Sequence, residues 1–371
     1  MVEMADIFRA CGQTYWVKYG KDMLPSHKRA MRDIVRCRTE VLGGRCYYCQ
    51  RCDDYRYSYH SCKNRSCPKC GNDDASRWLS AQRAFLLPER YFLVTSTLPK
   101  ELRPVARSNQ KLIYGLLLRQ TAAAIQKLAR DPQWVGGEIG LLGVPQTWKR
   151  DMGYHVHAHF ILPGGGISPD GQRWLPAQRD YLMPERAVAK ILRAKFRDAL
   201  KKHPDVFKQI PMKVWRSDWV VHIKPVGKGN AALKYLAPYI FRVAISNKRI
   251  VRFKDQKVTF RYQDNKGTWH TPTLEAEKFI SRFLQHVLPY RFVKVRYYGF
   301  LSPRKRKLLN AIKELFNLAP KQESYGSRNS SVAEVRVMRC PKCGREMVFV
   351  KEIKPVRSRA TDWPERWMAP P

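Results

Sequence analysis

Acidic residues are scarce in this 371-residue chain: 31 Asp and Glu stand against 70 Lys and Arg, a formal charge of +39. An enzyme of small metabolites has no need of that excess, so the imbalance points to a polyanionic partner. Nucleic acid is favoured over a membrane surface. No apolar run reaches transmembrane length, which argues against a membrane span. Glu3 and Asp6 interrupt what would be a secretory leader, so a cytoplasmic setting is expected. No internal repeat or low-complexity tract is present, which excludes a solenoid. Histidine is also sparse, nine in all. That gives weight to three of them standing at alternate positions.

The basic residues spread along the chain, with a local peak at Arg304-Lys305-Arg306-Lys307, and aromatics make up 12%. Together they are the footprint of a nucleic-acid binder. Ten cysteines do not spell disulfides. Eight lie at or before Cys70, mostly in close pairs, and the last two form Cys340-Pro341-Lys342-Cys343. Paired Cys-x2-Cys spacings in a reducing compartment read as zinc chemistry.

Periodicity gives the organisation. Residues 1–90 begin as helix, pass through a cysteine-rich loop block from Gly43 to Gly71, and return to helix from about Asp73 to Leu87. Tyr91 to Thr97 is a buried strand stopped by Pro99. A Leu- and Ala-rich helix is expected from about Ser108 to Arg130, and strands over 139–148 and 154–162. A basic amphipathic helix follows Pro184 over 185–202. Further strands are expected over 215–225 and 292–298, helices over 231–243 and 274–288, and a hairpin near 251–262. Beyond Pro320 a Ser-, Asn- and Gly-rich stretch reads as a linker. The tail after it ends in Pro-rich residues of disordered type. The expected domains are 1–90, 91–318 and 319–371. The expected class is α+β, a central antiparallel or mixed sheet flanked by helices and preceded by a small zinc-ribbon-like domain.

Cys46-Tyr47-Tyr48-Cys49-Gln50-Arg51-Cys52 and Cys62-Lys63-Asn64-Arg65-Ser66-Cys67-Pro68-Lys69-Cys70 hold two zinc knuckles. Four thiolates close a tetrahedral structural site. Cys49, Cys52, Cys67 and Cys70 are the expected ligands. Cys46, Cys62, Cys37 and His60 are alternates, or ligands of a second ion. Cys340 and Cys343 form half a site in want of partners.

In Tyr154-His155-Val156-His157-Ala158-His159-Phe160 the histidines alternate with apolar residues. On a strand the imidazoles share one face, and Val156, Ala158 and Phe160 supply a core face. Neighbouring imidazoles, roughly 6–7 Å apart at the backbone, can converge on one metal ion, whereas three span about 13 Å and cannot. The motif is a histidine–hydrophobic–histidine pair with a third histidine beside it. For a further ligand, His155, Glu138, Gln146 and His222 all stand open.

Asn230 reads as an N-cap, and Tyr235 and Tyr239, four apart, share a helix face. Two such tyrosines are ordinarily packing residues. Beside a metal-binding pair and a large positive charge they become candidate nucleophiles for a phosphodiester, with Lys234 and Arg242 positioned to hold DNA phosphates.

These residues, in this order, resemble the HUH-class nucleases, and most closely the rolling-circle transposases of bacterial insertion sequences, family ninety-one and its common-region relatives. The resemblance is carried by Cys37-Arg38-Thr39, Leu42-Gly43-Gly44, Ser66 to Cys70 and the histidine strand running into Pro163-Gly164-Gly165-Gly166. It continues through Lys234 to Tyr239, Arg242 to Ser246 and Val295 to Leu301, and so covers nearly all the chain to about residue 310. It implies His157 and His159 as the metal pair, with His155 as their neighbour, and magnesium or manganese as the ion. It also implies single-stranded DNA at element ends as substrate, a 5′-phosphotyrosine intermediate and a free 3′-hydroxyl. Tyr235 is given the first cut and Tyr239 the second strand transfer. Two departures stand out: small Ala158 between the histidines, and Pro238, which should kink the tyrosine helix. The competing readings are an HUH replication initiator or relaxase, and a non-catalytic zinc-containing nucleic-acid-binding protein.

Overall fold

The computed structural model describes residues 1–70, 78–83, 85–178, 180–229, 231–233, 240, 243–318 and 337–356. The chain forms two compact units, Met1–Gly71 with Ile245–Leu284 and Gln322–Pro371, and Asn72–Ala244 with Gln285–Lys321. In chain order, the strands of the three larger sheets are β1 (Gly44–Cys49), β2 (Asp54–Tyr59), β3 (Arg90–Thr97), β4 (Leu141–Trp148), β5 (Tyr154–Pro163), β6 (Val220–Lys228), β7 (Ile250–Lys254), β8 (Lys257–Phe260), β9 (Thr273–Glu275), β10 (Arg296–Tyr298) and β11 (Val348–Ile353). The principal helices are α1 (Met4–Tyr19), α2 (Pro25–Arg36), α3 (Gln110–Ala129), α4 (Glu185–Lys201), α5 (Ala276–Leu284) and α6 (Arg306–Leu315). The protein is α+β, with antiparallel sheets flanked by helices.

The second unit is built on a five-stranded antiparallel sheet in the order β10-β4-β5-β3-β6. Alternation assigns its faces. Phe92 and Val94 of β3 join Val156, Ala158, Phe160 and Leu162 of β5 in one cluster. Ile113 and Leu117 of α3 and Val188, Leu192 and Phe196 of α4 cover it. Residues 188, 192 and 196 recur every four, so α4 lays a single apolar stripe on the sheet and keeps its basic face outward. Tyr91, Leu93, Val144 and Ile161 pack on the opposite face with Ala232 and Ile240. Gly143 stands opposite Phe160, whose ring fills the space a side chain would need: an added Cβ would lie 2.4 Å from it. That contact explains a glycine in mid-strand.

The first unit is assembled from distant stretches of sequence. Phe8 of α1 meets Phe283 of α5 edge-on at 5.8 Å. Glu277 takes an ion pair from Lys18 at 2.9 Å and a hydrogen bond from the Tyr19 hydroxyl. Phe260 and Phe279 close the small sheet β9-β8-β7 against α5. A second three-stranded sheet, β11-β1-β2, places the tail strand beside the N-terminal hairpin.

Several sequence expectations needed adjustment. Trp215 lies in a helical turn, Lys213–Arg216, because it stacks on Phe207 and Trp219, and the strand begins only at Val220. Strand β10 is confined to three residues, since Phe292 turns into the core against Tyr114. The helix expected over 274–288 is α5 alone, preceded by β9. The division at residues 90 and 318 was linear, whereas the structural units interleave. Residues 245–284 and the described tail, 337–356, belong with the N-terminal segment through the contacts above. Among the described residues, no helix is long and apolar enough to cross a membrane.

Candidate functional site

The period-two pattern places the three histidines on one face of β5, at its start, where β4 and β3 flank it. The rings of His157 and His159 lie 4.8 Å apart, centroid to centroid, and His155 lies 5.1 Å from His157. His157 donates its Nδ1 proton to the His155 carbonyl at 3.0 Å, and His159 Nδ1 meets the Thr95 hydroxyl at 3.0 Å. Both rings are thus oriented through Nδ1, the arrangement that presents Nε2 to a metal. His155 is held differently, by the Arg103 guanidinium at 3.2 Å from its Nδ1.

Burial dominates the electrostatics. It pushes the His157 imidazolium pKa down to about 4 and that of His159 to about 3; the neighbouring His157, then Lys224, add to the second shift. Burial and Arg103 also lower His155. At neutral pH the pair is therefore uncharged, the state a metal requires.

The other candidate ligands separate clearly. Gln146 stands directly opposite His157, and its Oε1 is buried without a hydrogen-bond partner. Glu138 lies beyond the far end of β4, paired with Lys305 at 2.6 Å. His222 is two strands from His159, exposed and 3.7 Å from Glu185. Among the described residues, the histidines do not gather with a third His, Cys, Asp or Glu into a compact ligand set. Gln146 is the candidate for which spacing gave the least reason, because only strand register brings it there.

Tyr235, Tyr239, Lys234 and Arg242 lie outside the described residues. Ala232 and Ile240, on either side of the tyrosines in sequence, pack on the sheet face that also carries His157 and His159.

His286, on the same unit, is another buried imidazole, held by the Thr147 hydroxyl at 3.1 Å and the Met152 carbonyl at 3.0 Å. Burial pushes its pKa to about 4. A folded value below the unfolded 6.5 means the unfolded chain takes the proton first. Stability is full above pH 6.5 and is lost as pH falls toward 4, by roughly 3 kcal/mol for this residue. Denaturant titrations at pH 7, 5.5 and 4.5 should show that decline. A constant midpoint would contradict it.

The cysteines gather in two sets, Cys37, Cys62, Cys67 and Cys70, and Cys49, Cys52, Cys340 and Cys343. None of the ten cysteines is in a disulfide. In the first set, Cys70 Sγ lies 3.4 Å from Cys37 and 3.6 Å from Cys62. A zinc tetrathiolate needs sulfurs about 3.8 Å apart. Hydrogen bonds from the Cys62 thiol, then Cys67, pull the Cys37 thiol below its ordinary value. The expected quartet Cys49, Cys52, Cys67 and Cys70 is therefore not one site: its two knuckles belong to different sets. Cys37 and Cys62 belong to the first set, whereas Cys46 and His60 join neither. Sequence spacing pairs the two thiols of a knuckle, but it does not say which pairs meet.

Two family models match the chain. One, described as a transposase zinc-binding domain, covers residues 7–98; the other, described as "Putative transposase", covers residues 140–308. The chain is 34% identical to "Putative transposase y4qJ" of Sinorhizobium fredii (strain NBRC 101917 / NGR234), over 95% of both chains. It is 24% identical to "Transposase for insertion sequence element IS801" of Pseudomonas savastanoi pv. phaseolicola, over 86% of this chain and 82% of that one. No solved structure matches.

Proposed function

From the premise that this chain belongs to the insertion-sequence transposases of family ninety-one, with their N-terminal zinc-binding domain, we propose that it nicks single-stranded DNA at the element's ends and drives rolling-circle-type transposition. Tyr235 is the first nucleophile and Tyr239 the second. The observation carrying this reading is the His157–His159 pair: two uncharged imidazoles, both oriented through Nδ1, on the sheet face against which the neighbours of the tyrosine segment pack.

The residues fit a divalent ion. His157 and His159 would hold it through Nε2, and the orphaned Gln146 Oε1 is the acceptor available to join them. Bound there, magnesium or manganese supplies Lewis acidity at the scissile phosphate. The phenolic oxygen of Tyr235 gives up its proton to solvent as it attacks phosphorus, the bond to the 3′ oxygen breaks, and that oxygen takes up a proton and leaves as a 3′-hydroxyl. The 5′ phosphate remains on the tyrosine, and Tyr239 repeats the attack on the second strand. Lys234 and Arg242 hold neighbouring phosphates. The charge of +39 gathers DNA from solution and makes binding salt-sensitive. The place of action is the bacterial cytoplasm, at the nucleoid.

The test is cleavage of single-stranded oligonucleotides from the element's ends, with and without manganese. A 3′-labelled strand should shift into a denaturant-resistant protein band, while a 5′-labelled strand yields a free fragment that a polymerase can extend. An adduct retaining the 5′ label would reverse the polarity, and metal-independent cleavage would remove the histidine site.

A further inference from the structure

We propose that Cys49, Cys52, Cys340 and Cys343 form a second structural zinc site, which clasps the tail to the N-terminal hairpin. The zinc-binding match, residues 7–98, contains Cys49 and Cys52, but neither match reaches Cys340 or Cys343, which lie beyond residue 308. All four sulfur atoms lie within 4.8 Å of one another, and those of Cys49 and Cys343 are 3.6 Å apart. That is too far for a disulfide, where sulfurs are about 2.05 Å apart, and close to the spacing around tetrahedral zinc. Four thiolates in a closed tetrahedron are a zinc donor set.

The two halves are built alike. Each is a Cys-x2-Cys turn followed by a residue in the left-handed region, Asp53 at φ 47° and Gly344 at φ 73°. Backbone bonds shape the tail knuckle: Cys340 N–H donates to the Arg345 carbonyl, Gly344 N–H to that of Cys340 and Met347 N–H to that of Met338, each at 2.8 Å. Beyond it, β11 pairs with β1, with Tyr48 opposite Val348 and Tyr47 opposite Phe349. Lys342 adds an ion pair to Asp54 at 3.3 Å.

Apolar packing alone is a weak alternative. Among the described residues, the cluster here contains only Cys49, Cys340 and Met347 as buried members, and β11 exposes Val348, Phe349 and Val350. A core that small does not hold a segment arriving from 290 residues away, and small domains of this kind take a metal instead. Basic Arg51, Arg339, Lys342 and Arg345 lie in or beside the knuckles and offset the two negative charges of a zinc tetrathiolate.

The experiment counts metal in the full chain, purified reduced and without chelator. Native mass spectrometry should find two zinc ions in the wild type. Cys340→Ser/Cys343→Ser should retain one, as should Cys67→Ser/Cys70→Ser. A single ion in the wild type, still present in Cys340→Ser/Cys343→Ser, overturns the proposal. Should that variant fail to fold, thiol labelling of the wild type decides. Cys49, Cys52, Cys340 and Cys343 are expected to resist maleimide together and to react together once zinc is chelated. Labelling of Cys340 and Cys343 at the same rate with and without chelation overturns it.

Discussion

Tyr235→Phe is expected to abolish most of the denaturant-resistant protein–DNA adduct. The substitution removes one oxygen and leaves the ring, so packing and DNA affinity should hardly change. The loss should run to several orders of magnitude, the scale on which deletion of a covalent nucleophile acts. A tyrosine of ordinary pKa, about 10, is protonated at neutral pH. Its attack therefore depends on help at the phosphate and on orientation. Tyr239→Phe should leave the first cut intact and impair strand transfer. Pro238 stands between the two, and a proline inside a helix removes one hydrogen bond and bends the chain. Peptide mapping of the trapped adduct measures the outcome. DNA on Tyr239 alone would exchange the two roles, and DNA on neither would remove the mechanism.

His157→Ala and His159→Ala should each reduce cleavage by roughly a thousandfold, the worth of several kcal/mol of transition-state charge stabilisation. Binding to single-stranded DNA should persist, because distributed basic charge carries it. Both residues are almost fully buried, so each variant also leaves a small cavity. Retained DNA affinity and an unchanged melting transition separate lost chemistry from lost fold. His155→Ala should do far less, since Arg103 already occupies that ring's Nδ1. Gln146→Ala should raise the concentration of manganese needed for half-maximal rate, whereas a merely structural glutamine would leave that concentration unmoved. His157→Ala cleaving at the wild-type rate would refute the metal assignment.

Local pattern made much of this legible in the sequence. The alternation at residues 154–162 fixed a strand and its faces, and β5 runs Tyr154–Pro163 with Val156, Ala158 and Phe160 in the core. Pro184 and an apolar stripe fixed α4 nearly to the residue. What stayed hidden depended on partners remote in sequence. The two thiols of a knuckle announce each other, but Cys49 meets Cys343 across 294 residues, and nothing in either neighbourhood encodes that meeting. Gln146 was one of four open candidates that the sequence could not rank, for a related reason. Its position opposite His157 follows from the register of two strands, a relation no single stretch contains. Trp215 failed otherwise: its β propensity was overridden by stacking between Phe207 and Trp219.

The order β11-β1-β2 has a bearing on how the protein is made. Strand β1 is the middle strand, yet of its two neighbours β11 leaves the ribosome long after β2. About 290 residues separate β2 from β11. At bacterial rates of synthesis that is a wait of roughly 15–60 s. Throughout it, the nascent hairpin carries an unpaired edge with tyrosines along it, open to pairing with other chains. A message cut short before residue 348 would make that exposure permanent. Premature termination would thus yield chains prone to aggregate, and the cell would be left with few soluble fragments able to bind DNA without completing the reaction.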